Sequence, residues 1–210
     1  MTFEELIDAD DLDTFRARVA DIDEEDEWLL GEALWAAALT PNRVPFLRLL
    51  APFADVNDPH EDGDTLIMKV VASGDLGGAA TLLELGADLC QRNGSAGCSV
   101  LHVAKSAAML DFLLKSGAHA VINAQTTERW TALHLHASEN RADCVQMLLQ
   151  HGADPQILTR ERIRLDDKAN FDKYGGCKNP LEVIAPGRRA IDLTTSEQVR
   201  AVFEAHGNRN

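Results

Sequence analysis

Basic residues are scarce: twenty lysines and arginines stand against thirty-four aspartates and glutamates, a net charge of −14 over 210 residues. Nucleic acid and anionic membranes repel such a chain, so neither is expected as a partner, whereas a basic protein is. No apolar run approaches the roughly 20 residues that a membrane helix needs. The opening Met1-Thr-Phe-Glu-Glu lacks the positive and then apolar stretch of a secretory signal, which predicts a cytoplasmic protein. Cysteine is limited to Cys90, Cys98, Cys144 and Cys177, with no Cys-x-x-Cys pair, so reduced thiols are expected rather than a zinc site. His134 and His136 are two residues apart, a spacing that turns the rings away from each other on a helix.

Catalytic signatures are missing too. There is no Gly-x-Ser-x-Gly elbow, no phosphate-binding loop and no His-Glu-x-x-His helix. Cys144 is near His134 and His151 in sequence, but it falls on the apolar side of a helix with Val145 and Leu148, where a buried thiol is inert. The abundant carboxylate pairs sit mostly where exposure leaves them without the shifted pKa that acid–base work wants. No enzyme, cofactor or metal is therefore expected. What is present, 45% apolar and 26% charged residues, is an ordinary globular composition with room for one core or a short array.

Self-similarity decides between those two. Gly63-Asp-Thr-Leu-Ile-Met-Lys-Val-Val-Ala-Ser-Gly74 leads to Leu82-Leu83-Glu-Leu-Gly86-Ala87-Asp88, and Arg129-Trp-Thr-Ala-Leu-His-Leu-His-Ala-Ser-Glu-Asn140 leads to Leu148-Leu149-Gln-His-Gly152-Ala153-Asp154. In both, 23 residues separate the threonine (Thr65, Thr131) from the aspartate. A copy from Ser99-Val-Leu-His-Val-Ala to Leu113-Leu114-Lys-Ser-Gly117-Ala118-His119 is three residues shorter. Upstream, Leu34-Trp-Ala-Ala-Ala leads to Leu49-Leu50 and Ala54-Asp55-Val-Asn57. Thr65, Ser99 and Thr131 stand where a hydroxyl can cap a helix, and Gly86, Gly117 and Gly152 where a left-handed residue ends one. Each copy then reads as two short antiparallel helices and a protruding turn. Leu34, Leu49, Leu50, Ile67, Leu82 and Leu83 find no burial within one copy, so neighbours must stack into a continuous core.

These residues resemble the ankyrin repeat, with its Thr-Pro-Leu-His-x-Ala-Ala, glycine, paired leucines and Gly-Ala-Asp. The resemblance implies an all-α solenoid of five or six helix pairs counting caps, and a monomer that binds another protein through turn tips and inner helices. It divides the chain into an acidic N-terminal cap (1–32), four repeats (33–154), an insertion (155–186) and a degenerate last repeat (187–210). In the family the repeat's histidine bonds to the turn of a neighbouring unit, so His102 and His134 are expected to be structural. Trp35 replaces that histidine and is expected in the core. Asp192 takes its place in the last copy.

Between Glu4 and Glu27 lie twelve carboxylates, opposed only by Arg16 and Arg18. They read either as a solubilising cap or as a landing surface for a cationic partner. Phe3–Ile7 and Leu12–Val19 read as its helices, with Trp28 expected to cover it. The insertion carries Arg160, Arg162, Arg164, Lys168, Lys173 and Lys178 with Phe171 and Tyr174, either as a binding element or as an excursion whose cations pair with the acidic body. His136 stands where the family has alanine and reads as an accommodated core histidine.

Tips are expected near Val56–Asp64, Cys90–Gly97 and Ile122–Trp130. The candidate binding residues are His60, Asp62, Asp64, Arg92, Glu128, Arg129, Trp130, Arg160, Arg162, Arg164 and Tyr174, with an exposed Trp130 as the apolar anchor. Three functions fit: an acidic inhibitor or antidote occluding a basic enzyme, a scaffold joining two partners, and, more remotely, an enzyme whose site is built by the insertion.

Overall fold

A computed structural model describes residues 2–22, 28–40, 43–94, 96–163, 183–185 and 187–207. Twelve α-helices lie among them, in pairs: α1 (Phe3–Asp8) and α2 (Leu12–Ala20), α3 (Trp28–Leu39) and α4 (Val44–Leu50), α5 (Leu66–Ser73) and α6 (Leu76–Glu84). They continue with α7 (Val100–Val103) and α8 (Ala107–Lys115), α9 (Ala132–Ser138) and α10 (Ala142–Gln150), then α11 (Ala190–Leu193) and α12 (Glu197–Gly207). The fold is the expected all-α repeat array, with one addition. Glu161–Ile163 (β1) pairs antiparallel with Val183–Ala185 (β2), placing Arg162 opposite Ile184.

The chain forms two units, Met1–Val121 and Ile122–Asn210. In the first, α3 packs on α1, α4 on α2, α5 on α3, α6 on α4 and α7 on α5. The buried surface runs from pair to pair through Leu6, Ile7, Phe15, Leu34, Phe46, Leu50, Ile67, Val70, Leu82 and Leu101. In the second unit α11 packs on α9 and α12 on α10, around Leu133, Val145, Leu148, Ala190 and Val199. The paired leucines Leu113–Leu114 and Leu148–Leu149 are all buried, while Leu49 and Leu83 are half-buried.

Backbone chemistry sets the ends of the helices. Gly86, Gly117 and Gly152 follow the leucines at φ of 95, 116 and 88°, the left-handed region that only glycine enters freely. Asp55, Asp88 and Asp154 then accept the amide two residues on, at 2.8 Å each, and turn the chain outward. Asn57 ties one copy to the next by accepting from Asp88 N–H at 2.8 Å and donating to Gly86 C=O at 3.1 Å; Asn123 repeats the first of these bonds on Asp154. The three residues missing from the third copy amount to nearly a turn of α7, which has four residues where α9 has seven.

The expected hydroxyl caps are made twice of three times. The Thr131 amide and hydroxyl both reach His134 Nδ1, at 3.2 and 2.7 Å, and Ser99 does the same to His102 at 3.1 and 2.9 Å. A backbone N–H can only donate, so Nδ1 is the acceptor and Nε2 carries the proton. Thr65 departs from the expectation: Met68 stands where the histidine would be, and the buried hydroxyl meets no hydrogen-bond partner. Thr131→Val is therefore expected to cost about 1–3 kcal/mol, while Thr65→Val stays within about 0.5 kcal/mol or stabilises, as urea midpoints of the two variants would read.

The last copy keeps the cap with its chemistry exchanged. Asp192 accepts from the Arg189 amide at 3.1 Å and from Arg189 Nε at 3.2 Å, which places these residues in register with His134 and Thr131. The same hydrogen bonds hold the Asp192 carboxyl below the ordinary carboxylate range.

At the other end α1 and α2 form the predicted N-terminal pair. Phe15 meets Phe3 and Phe46 edge-on at 5.0 and 4.9 Å. Arg43 reaches back to the last carbonyls of α1, donating Nε to Ile7 C=O at 2.7 Å and pairing with Asp10 at 3.3 Å. Trp28 does not cover this pair. It is 65% exposed, because α3 begins several residues before the recognisable repeat and carries Trp28 on its open first turn.

Candidate functional site

Four hairpin tips carry most of the candidate residues, and hydrogen bonds define each. His60 N–H bonds Asp64 C=O (2.9 Å), Asn93 bonds Cys98 (2.9 Å), Thr126 bonds Trp130 (2.8 Å) and Thr159 bonds Arg188 (3.0 Å). The opening residues are 33 apart at every step. In the first three hairpins the chain closes after four or five residues; in the fourth it closes after 29. The insertion is therefore the enlarged tip of the last copy, with β1 and β2 continuing its two sides. This relocates the expected 155–186 boundaries: Asp154–Leu158 belongs to the ordinary repeat turn, and the departure begins beyond Thr159.

Within the first unit the tips join edge to edge, Gly94 N–H to Gly63 C=O at 3.1 Å. Within the second, Arg160 N–H bonds Glu128 C=O at 2.9 Å in the same manner. Each pair is a short rigid ledge with exposed side chains.

On the first ledge, His60 and Asp62 are exposed and Asp64 is half-buried. Lys69, from the next helix, reaches Asp62 at 2.5 Å and Asp64 at 2.8 Å. The ammonium hydrogen-bonded to Asp62 holds that carboxyl below its ordinary range, and the two carboxylates together raise Lys69. Asp64 also accepts from Asn93 Nδ2 at 2.8 Å. These acids thus brace the ledge and share one cation, which offsets half of their negative charge locally. Lys69 was the signal for this in the sequence, standing one to two turns into the helix after Asp64. Arg92 is exposed and donates to Gly97 C=O at 2.9 Å. The His60 ring meets that of Trp35 at a tilt of 55°, ring centres 4.9 Å apart. Trp35 thus touches the neighbouring tip, as the repeat's histidine does elsewhere, but is half-buried rather than fully in the core.

On the second ledge Arg129 is exposed at a positive φ of 61°, and Glu128 is half-buried. The expected exposure of Trp130 is not found. The ring is half-buried, 6.3 Å from that of His134, because the hairpin folds it back over the cap of α9. His134 Nε2 donates to Arg188 C=O at 3.1 Å, so the repeat's histidine does hold the adjacent turn. Arg160 is half-buried. Arg162 lies on β1; Arg164 and Tyr174, with Lys168, Phe171, Lys173, Cys177 and Lys178, lie outside the described residues.

The remaining chemistry is quiet. His136 is fully buried, as a core histidine should be, and burial pushes the thiols of Cys98 and Cys144 above their ordinary value. Among the described residues no three His, Cys, Asp or Glu converge as a metal site, and no helix is long and apolar enough to cross a membrane. On the first helix pair, Glu4, Glu5, Asp8, Asp10, Asp13 and Asp21 are exposed. Some are employed locally: Glu5 closes the Thr2 capping box and Asp11 caps α2.

Comparison with known proteins agrees with this architecture. Residues 90–159 match the family model for ankyrin repeats. Over 98 residues the chain is 32% identical to ankyrin repeat and SOCS box protein 2 of Bos taurus, a match covering 46% of this chain and 15% of that protein. The family-model match, residues 90–159, contains the Leu-His copies at Ser99 and Thr131, where the cap histidines are present.

Proposed function

We propose that this chain, which belongs to the ankyrin-repeat family and is as such a protein–protein interaction module, acts as an acidic inhibitor that docks on a basic protein. The observation that carries the reading is the charge: −14 overall, with the exposed carboxylates of α1 and α2 at the head of an array that serves binding. A field of one sign accelerates encounter with an oppositely charged partner and penalises wrong ones. The hydrogen-bonded ledges add rigidity, so little ordering entropy is spent on docking. Asp62, Asp64, Arg92, Glu128, Arg129, Trp130, Arg160, Arg162, Arg164, Tyr174 and His60 remain the proposed contact set, with a cytoplasmic monomer as the working form.

A scaffold joining two partners is the second reading, favoured by the basic enlarged tip in an otherwise acidic chain. Mixing experiments separate the two. An inhibitor abolishes its partner's activity at one-to-one stoichiometry, and its association rate falls about tenfold or more between low and high salt as charges are screened. A chain that holds two partners at once and inhibits neither is a scaffold. A salt-independent rate removes the electrostatic argument.

A further inference from the structure

Helix α3, Trp-Leu-Leu-Gly-Glu-Ala-Leu-Trp-Ala-Ala-Ala-Leu, has a single charged residue and is apolar all round, a composition that calls for burial on every side. One side is buried: Leu30, Ala33, Leu34, Ala37 and Ala38 are at most 5% exposed. The opposite side is open. Trp28 is 65% and Leu39 52% exposed, Trp35 is half-buried, and Glu32 is exposed between them. Positions 28, 32, 35 and 39 follow at four, seven and eleven residues, so they form one stripe about 16 Å long. Gly31 lies beside that stripe, and a Cβ added there would meet nothing within 4 Å. A glycine inside a helix weakens it, and no neighbour among the described residues needs the space. Gly31 therefore leaves a notch flanking the two tryptophans.

The surroundings state what fits. Residues 23–27, directly before Trp28, are all aspartate or glutamate, and Glu32 interrupts the stripe itself. Beyond Trp35, His60 lies 3.6 Å from Asp62, and Lys69 is already held by Asp62 and Asp64. Indole faces attract cations. A second copy would bring the same acidic surface against this one and be repelled. We infer that the open face of α3 docks a cationic amphipathic segment of the protein partner, its aliphatic side over Trp28, Gly31, Trp35 and Leu39 and its lysines or arginines over the indoles and Glu32. This rests on the protein-binding reading above and adds the surface and the partner's chemistry.

The test uses the full chain, in which Trp28 and Trp35 report by fluorescence over a Trp130 background common to every variant. The probe is a synthetic leucine–lysine peptide patterned as an amphipathic helix; its scrambled isomer and a leucine–glutamate version serve as controls. The patterned cationic peptide is expected to saturate with a blue shift. Gly31→Leu, which fills the notch, and Leu39→Ser, which changes an exposed residue, are each expected to weaken binding about tenfold, roughly 1.4 kcal/mol, without lowering the melting temperature. Variants that bind as tightly as the parent, or a scrambled peptide that binds equally well, overturn the α3 site while leaving the basic-partner reading intact. Failure of every cationic peptide in every variant overturns both.

Discussion

Phe15→Ala is expected to destabilise the protein by about 3–5 kcal/mol, the usual range for deleting a fully buried phenylalanine. Phe15 is 0% exposed and is the shared partner of Phe3 and Phe46, so its ring links α1, α2 and α4. The loss should not spread evenly. In a stacked array each pair depends on its neighbours, and a terminal pair has a neighbour on one side only. Hydrogen exchange of the Phe15→Ala chain should show α1 and α2 opening first, with α9–α12 keeping their protection. Uniform loss of protection would mean that the N-terminal pair is integral rather than a cap. Arg18→Ala offers a contrast: its guanidinium lies 5.1 Å above the Phe3 ring on an exposed surface, and its removal should cost no more than about 1 kcal/mol.

His134→Ala should cost about 2–4 kcal/mol, combining a lost buried ring with buried polar groups left unpaired. The Thr131 amide and hydroxyl lose their partner, and the Arg188 carbonyl keeps only the Thr159 amide. Because Arg188 closes the fourth hairpin, proteolysis beyond Thr159 should quicken in this variant, which a cap residue without the hairpin bond would not cause. The same ring makes stability depend on acid. Burial holds His134 below its ordinary 6.5, so the folded protein keeps the neutral ring while the unfolded chain takes up a proton. The contribution is complete above about pH 6.5 and declines as pH falls from there toward the lowered folded value. The urea midpoint should drop on acidification through this window, and the drop should shrink in His134→Gln. Equal drops in both proteins would assign the acid sensitivity elsewhere.

The array was legible because its signals are local. A glycine that must be left-handed, a hydroxyl three residues before a histidine, and paired leucines are each read within a few residues, and they recur. Pairings made at a distance were harder to read. The bond between Thr159 and Arg188 joins residues 29 apart, so local pattern showed an interruption between repeats where the fold has an enlarged tip. Trp130 read as an anchor because its slot is variable, yet the hairpin folds the ring over His134. Trp28 read as a cover because it follows the acidic run, but α3 starts early and turns it outward. Asp62 and Asp64 read as contact residues, and Lys69, which pairs with both, belongs to the following helix. Trp28 and Trp35 read as separate burials, one over the cap and one in the core, so the helical stripe they form with Leu39 did not show.

The fourth hairpin has a practical corollary. Its two posts, Thr159 and Arg188, are bonded to each other; Arg188 is held by His134, and Arg160, next to Thr159, is held by Glu128, so the chain between them begins and ends at a fixed gate. Doubling the length of a loop between fixed ends costs only about 0.6 kcal/mol. The scaffold is therefore nearly indifferent to how much sequence is threaded through that gate, which makes it a natural socket for foreign peptides or small domains.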